Sequence, residues 1–343
     1  MKTGFCILVY CVLSAVYCNS QDIHFAQISE TPLQINPALT GAYDGFYRGI
    51  LNYRNQWPAM GKSYNTLMAS YDMPLKMKKK PGGYIGAGAF LFSDKAGDSH
   101  FGTTQGALSV SAILPSGRYS RMSAGMQFGL VQHSLDISAI QWPSQYNGQN
   151  YDPSISPNEQ VNKNSFSFFD MGIGGNYQVY KSTSTITGKN VFHLNMGAAF
   201  FHATMPSQKF YSGSDENQYP RITAHASMRY DVPGTLVGIV PSFVYMMQGP
   251  AMELNLGTLF RYKVSQGTKV TGFYTESAIS AGLHYRFKDA ISPQVYLEFS
   301  DYAFGLSYDF NVSSYGKVQK SAGGFEISIK YANMRGALLK GKM

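Results

Sequence analysis

Cysteine is almost missing from this 343-residue chain, and charge is scarce. Its three cysteines, Cys6, Cys11 and Cys18, all fall within the first eighteen residues. Charged residues make up only 14% of the sequence, against about 25% in ordinary soluble domains. Tryptophan occurs twice. These absences exclude a disulfide scaffold, a charge-rich disordered chain and a coiled coil. A long apolar run is also lacking after residue 20. The best candidate, Val232 to Met247, is interrupted by Pro233, Gly234, Gly238 and Pro241, which excludes a transmembrane helix there. Amphipathic helical periodicity is nearly absent. What remains is 25 tyrosines, 22 phenylalanines and 35 glycines, a composition suited to a β-protein in an unusual solvent. The length is enough to bury a full core without a metal or disulfide staple.

The start of the chain has the pattern of a secretory signal. Lys2 gives the positive region, Phe5 to Tyr17 the apolar run, and Cys18-Asn19-Ser20 the small residues before a cut that leaves Gln21 first. Lipidation of Cys18 is the rival reading, weakened by Tyr17 at a position that calls for a small residue. Removal of residues 1–20 takes every cysteine with it and only Lys2 among the charges, so +8 falls to +7. In an exported protein this modest basic excess points to anionic lipid or acidic partners rather than to nucleic acid.

The strongest signal is strict alternation. In Ala251–Val264, Met252, Leu254, Leu256, Thr258, Phe260, Tyr262 and Val264 lie on one face, with Glu253, Asn255, Gly257, Arg261 and Lys263 on the other; Leu259 is the exception. Segments 222–232, 276–287, 304–312 and 325–331 repeat the scheme, giving each strand one polar and one apolar face. Such strands suit a soluble sandwich or a membrane barrel. Length favours the barrel, because runs of about ten residues match a tilted membrane span and exceed the usual soluble strand. Gly, Ser, Asn and charges on the polar faces suit a wet lumen. Aromatic residues near strand ends suit interfacial girdles. The expected fold is therefore all-β: a transmembrane antiparallel β-barrel of about fourteen strands, at 46–57, 63–73, 83–93, 101–114, 119–133, 165–181, 190–202, 220–232, 236–247, 250–264, 275–287, 290–300, 303–312 and 322–332.

Loop parity agrees with that count. With the N-terminus periplasmic, connections after odd strands face outward, and the two longest, 134–164 and 203–219, follow strands five and seven. Pro115-Ser116-Gly117 and Pro233-Gly234 follow even strands and read as tight turns; Lys76–Lys80 and 265–274 are long for that side. The expected organisation is a signal at 1–20, an N-terminal segment at 21–45 (periplasmic or lumenal), one barrel at 46–332 and a tail at 333–343.

Catalytic and metal motifs are not found. The seven histidines lack HExxH or other ligand spacing, no GxSxG elbow occurs, and Gly172–Gly175 lacks the strand-to-helix context of a phosphate loop. No cofactor is expected. Lys76, Lys78, Lys79 and Lys80 form the one basic run; it reads as a solvated turn near anionic headgroups or as a docking patch for an acidic periplasmic partner. Inward charges such as Arg229, Glu253, Arg261, Lys263, Glu276 and Arg286 suit either a pore lining or pairing across a closed lumen.

Several segments carry a resemblance. They are Gln21-Asp-Ile-His-Phe-Ala-Gln27; Pro32-Leu-Gln-Ile-Asn36-Pro37-Ala-Leu-Thr-Gly41; Arg48; Asn52-Tyr-Arg54-Asn-Gln56-Trp57; Ala69-Ser-Tyr-Asp72; Gly305 to Ser314; and Gly323-Gly-Phe-Glu326. Together they resemble the PorP/SprF family, the outer-membrane barrel component of the Bacteroidetes type IX secretion system. The resemblance implies a non-enzymatic barrel in the outer membrane of a Gram-negative, Bacteroidetes-like bacterium. It implies as partners the periplasmic machinery or a cognate secreted surface protein, an adhesin in gliding species, which the barrel helps export or hold. In physical terms, Asn36-Pro37 and Thr40-Gly41 fix a turn-rich backbone, while Asn52, Arg54 and Gln56 share the lumenal face of the first strand. Those side chains are placed to clamp the 21–45 segment, so that it plugs or pre-organises the barrel mouth; a segment that only starts barrel folding is the other reading. A solute channel or lipid transporter remains the alternative function.

Overall fold

The computed structural model describes residues 22, 24–56, 63–75, 82–97, 101–136, 140–156, 164–185, 188–208, 217–265, 276–312 and 322–333. The proposed signal and its cysteines, Trp57, the lysines at 76–80, the 266–274 connection, His100, loop 313–321 and residues 334–343 lie outside them.

Fourteen strands close into one antiparallel barrel in sequence order. They are β1 Arg48–Gln56, β2 Tyr64–Leu75, β3 Tyr84–Ala96, β4 Phe101–Pro115, β5 Ser120–Ser134, β6 Ser165–Thr185, β7 Gly188–Phe201, β8 Arg221–Asp231, β9 Val237–Gln248, β10 Ala251–Ser265, β11 Ser277–Arg286, β12 Ala290–Phe299, β13 Tyr302–Asn311 and β14 Ala322–Ala332. β1 closes the ring against β14, from Arg48↔Ala332 to Gln56↔Gly324, so no strand edge is left for lipid.

Period 2 in the sequence becomes inside and outside in the barrel. On β13, Tyr302, Phe304, Leu306, Tyr308 and Phe310 are exposed outward, while Ser307 and Asp309 are buried inward. On β10, Leu259 breaks the alternation only in chemistry: it points inward and is buried. Aromatic pairs collect on the outer face near both rims. Tyr47 packs against Tyr71 and Tyr331, with Tyr302 against Tyr331, at the rim where β1 begins. Tyr53–Phe325, Tyr285–Phe287 and Tyr308–Phe310 flank the opposite rim. These are the two girdles a membrane barrel requires.

The long connections after β5 and β7 leave the rim opposite the β1 start. Residues 24–44 enter the barrel interior. They form 3-10 turns at Ile28–Glu30 and Pro37–Leu39 flanking a short helix, α1, at Pro32–Ile35. Proline at the first position of α1 and of the second turn presets φ for each. Asn36 caps the second turn, its side chain accepting the Ala38 amide at 2.8 Å. Phe25 and Leu33 join Met68, Phe90, Phe92 and Ala107 in an apolar cluster inside the barrel.

The lipid-facing assignment gives a direct test. Leu108 lies midway along β4 and is exposed on the outer face. Leu108→Arg should destabilise the barrel by about 2–4 kcal/mol, as charge at the bilayer midplane does, whereas Leu108→Phe should be close to neutral. Denaturant titration of the barrel folded into liposomes measures both.

Candidate functional site

The site is the interior, where wall side chains meet the segment 22–44. Most of these contacts run from a wall side chain to the segment's main chain. Arg54 donates to the His24 carbonyl, and Gln294 to that of Ala26 at 2.9 Å. Glu326 accepts the amides of Ala26 (2.7 Å) and Gln27 (3.0 Å) with its two oxygens. Further along, Arg221 donates to the Gln34 carbonyl, Ser123 to Ala38, Ser111 to Thr40 and Gln178 to Ala42. The Gly41 amide donates to Asp72 at 2.8 Å. A segment with almost no regular structure has many unpaired amides and carbonyls; burial without partners would cost dearly, and the polar wall supplies them.

Two segment side chains are read as well. Gln27 donates to the Glu326 carbonyl and accepts from Ser328 at 2.5 Å. Asn36 is fully buried and donates to the carbonyls of Gly175 (2.9 Å) and Ala198 (3.2 Å), with His225 Nε2 at 3.1 Å. Glycine opens the space needed. Gly41 has φ +62°, and a Cβ there would lie 2.7 Å from Gly86 Cα. A Cβ on Gly125 would lie 2.4 Å from the Pro37 carbonyl oxygen.

Charges inside the barrel are largely paired, though Glu326 is held by segment amides and Asp94 by Thr66 instead. Arg54 and Arg286 both reach Asp309 Oδ2, at 2.9 and 3.0 Å, with Ser292 on the other oxygen. Glu253 holds His24 at 2.9 Å. Toward the rim where β1 begins, Arg229 and Lys263 share Asp231, Arg229 and Arg261 reach Glu276, and Arg261 also reaches Glu298. Of the two sequence readings for these inward charges, the geometry is that of pairing.

At the opposite rim, Asp22 is gripped by His202 Nε2 (2.5 Å), Arg221 (2.9 Å) and Gln248, whose side chain also accepts the Asp22 amide at 2.8 Å. His202 Nδ1 lies 3.0 Å from Asp170. Burial disfavours charge on His202, but Asp22 and Asp170 outweigh it and push its pKa up to about 9. Burial raises the Asp22 pKa, but His202 and Arg221 outweigh it and hold Asp22 well below the usual carboxylate range.

The residues singled out in the sequence divide clearly. Asn36, Pro37, Gly41, Arg48 and Arg54 all meet at the segment–wall contact; Arg48 grips Asp72 at 2.8–2.9 Å and lies over the Tyr43 ring. Asn52 is buried on the same face with neither amide atom hydrogen-bonded. Gln56 ends β1 opposite Gly324. Trp57, Lys78, Lys79 and Lys80 fall outside the described residues. Sequence reasoning missed Asp309 and Glu326 as contact residues, although both lie within the segments that carried the resemblance. It also missed Ser111, Ser123, Gln178, His202 and His225, which single wall positions disclose only once register is known.

Ser242 and His284 are hydrogen-bonded at 2.8 Å, but His284 Nδ1 is buried without a partner, so no third group orients the ring. Among the described residues no group of three or more His, Cys, Asp or Glu side chains could hold a metal ion.

The family model for the type IX secretion system membrane protein PorP/SprF matches residues 17–331. No curated protein matches the chain. Among solved structures, the toluene transporter TbuX of Ralstonia pickettii shares 10% identity over 89% of this chain and 94% of its own, with a TM-score of 0.41. The CymD monoaromatic hydrocarbon channel gives 12%, 89%, 92% and 0.45. BamA from Haemophilus ducreyi lacking POTRA domains 1–3 gives 10%, 84%, 70% and 0.41.

Two predictions follow from the interior. Gly125→Val should push Pro37 off the β5 wall and loosen the segment while the barrel stays closed. Chymotrypsin should then cut at Leu33, Leu39 or Tyr43, which resist in the wild type, with the heat-dependent gel shift of the folded barrel retained. The second concerns pH. Since the folded-state pKa of His202 is raised, its stabilisation is complete below about pH 6.5 and is lost as pH rises through about 9. The denaturation midpoint of wild type minus that of His202→Gln should therefore shrink between pH 7 and pH 10.

Proposed function

The chain belongs to the PorP/SprF family of type IX secretion system membrane proteins, and from that premise we propose that it is a plugged docking barrel: it binds a cognate secreted surface protein at its loop rim and supports that protein's export or attachment. The same family membership makes it an outer-membrane β-barrel of the secretion system, with a non-enzymatic role as the reading that fits its interior.

The observation that carries the proposal is the occupied lumen. The segment 22–44 runs from the loop rim, where His202 and Gln248 hold Asp22, to the β1-start rim, where Arg121 holds Asp44. Wall side chains reach it from strands on all sides of the ring. A barrel filled in this way serves poorly as a solute channel and well as a rigid mount for loops. In this reading the clamp residues Asn36, Gly41, Arg48 and Arg54 act as positioning residues for that mount, and the 1–20 signal is removed before assembly. The β1-start rim, with residues 76–80 nearby in sequence, is the place for the periplasmic machinery.

The loop after β5 is built to present a surface. Gln145 is buried at its centre, donates to the Ile155 carbonyl at 2.9 Å and accepts from Tyr151 at 3.3 Å. A bridge joins Tyr146 to Tyr151. This leaves Tyr146 57% and Tyr151 37% exposed, rigid amphipathic groups of the kind that dominate protein contacts.

The test is affinity purification of C-terminally tagged full-length protein from native membranes. A secreted surface protein should co-purify, and Tyr146→Ala combined with Tyr151→Ala should cut its recovery at least tenfold without altering the heat-dependent gel shift. In planar bilayers the wild type should conduct no ions. Steady wild-type conductance, or unchanged recovery with the double variant, would overturn the docking reading.

A further inference from the structure

The β8–β9 ladder is interrupted at a proline, as the β12–β13 ladder is at Pro293, and a groove lies over the β8–β9 gap. The β8–β9 ladder runs from Arg221↔Gln248 to Ser227↔Ser242, then resumes at Tyr230↔Ile239 in the same register, skipping Met228, Arg229, Val240 and Pro241. Pro241 supplies the cause, because proline has no N–H to give to a ladder and inside a sheet is confined to edges and irregularities. On the outer face a groove of about 520 Å³ is lined chiefly by Leu194, Ala226, Met228, Pro241, Phe243 and Leu256. That volume falls within the range of small-molecule sites.

We infer that this groove binds one acyl chain of a membrane phospholipid. Its position decides the chemistry. Leu194, Ala226, Met228, Pro241, Phe243 and Leu256 lie near the middle of β7, β8, β9 and β10, so the groove opens at the depth of the hydrocarbon core. Only an apolar ligand reaches that depth from the side, and none of those six side chains carries a charge. The shape is that of an open slot: the row Ser227, Ser242 and Gly257 runs between Ala226, Phe243 and Leu256 on one side and Met228, Pro241 and Thr258 on the other. The skipped ladder positions lie on the side of the groove nearer the rim where β1 begins. Tyr230 and Tyr262 stand on the outer face toward that same rim, 39% and 51% exposed, as interfacial rings do. Tyr230 lies four residues beyond Ala226, about 13 Å along the strand and, for a strand tilted about 45°, about 9 Å in depth, within the roughly 15 Å of one leaflet. A chain anchored among these rings therefore passes through the groove. The short-turn rim faces the inner leaflet, whose lipids are phospholipids.

The measurement is native mass spectrometry of the full-length protein in detergent, titrated with a palmitoyl-oleoyl phosphatidylethanolamine. The wild type should show one saturable bound lipid. Ala226→Trp fills the slot and should weaken binding at least tenfold; Leu194→Trp serves the same purpose if the first variant does not fold. Leu130→Trp, on the outer face of β5 away from the groove, should bind as the wild type does. Unsaturable binding in the wild type, equal binding by the slot-filled variants, or preference of the saturable site for lipopolysaccharide or free palmitate would each overturn the inference.

Discussion

A wall of fourteen strands encloses more room than its own inward side chains can fill, and the rest of this structure answers to that constraint. Eight strands give an interior that side chains just occupy, and sixteen leave a water channel. Here the chain's own residues 24–44 take up the space between. The choice of an irregular segment then dictates the chemistry of the wall. Helices and strands arrive with their amides paired; this segment does not. So the wall carries Ser111, Ser123, Gln178, Gln294 and Glu326, each aimed at a main-chain group of the segment.

Electrostatics follows the same logic. Buried charges are tolerable only when paired and hydrogen-bonded, and removing one partner from such a pair costs about 3–5 kcal/mol. Asp309 shows the arrangement: two arginines share one oxygen and a serine takes the other. Arg54 is thereby held between a carboxylate of the wall and a carbonyl of the segment. With these lumenal charges paired and the segment in place, the described interior resembles a packed core built from polar parts.

The fold was legible in the sequence because its signal is repeated fourteen times. Alternation placed every strand to within a few residues, and strand parity set which connections share a rim, with the lengths of the loops after β5 and β7 in agreement. Leu259 looked like an exception and is simply an inward residue in an apolar part of the interior. The site was legible only in part. Asn36, Pro37, Gly41, Arg48 and Arg54 stood out because they cluster near the N-terminal end within recognisable segments. Glu326 and Asp309 sit some 300 and 255 positions from the groups they hold, and no local pattern reports a contact of that span. Alternation says that Ser111, Ser123 or His225 faces inward but is silent on what it meets there. That depends on the path of an irregular segment, which has no period to read.

That path has a mechanical consequence. Asp22 lies under the residues that follow β7, held by His202 and Gln218, while Asp44 lies at the opposite rim, held by Arg121. Between them the segment is pinned at short intervals by rigid strands, and glycine contacts as close as that of Gly125 with Pro37 leave no room for it to slide. A force or a partner acting at the loop rim and one acting at the β1-start rim therefore bear on the two ends of one continuous, wall-bound element. Because packed interfaces move between discrete arrangements rather than stretching, such an element either transmits nothing or is released as a unit. Release would open the lumen and free both rims at once, so the contacts that fix the segment also keep the lumen filled. The density of main-chain contacts from β1, β4, β5, β6, β12 and β14 is what fixes it.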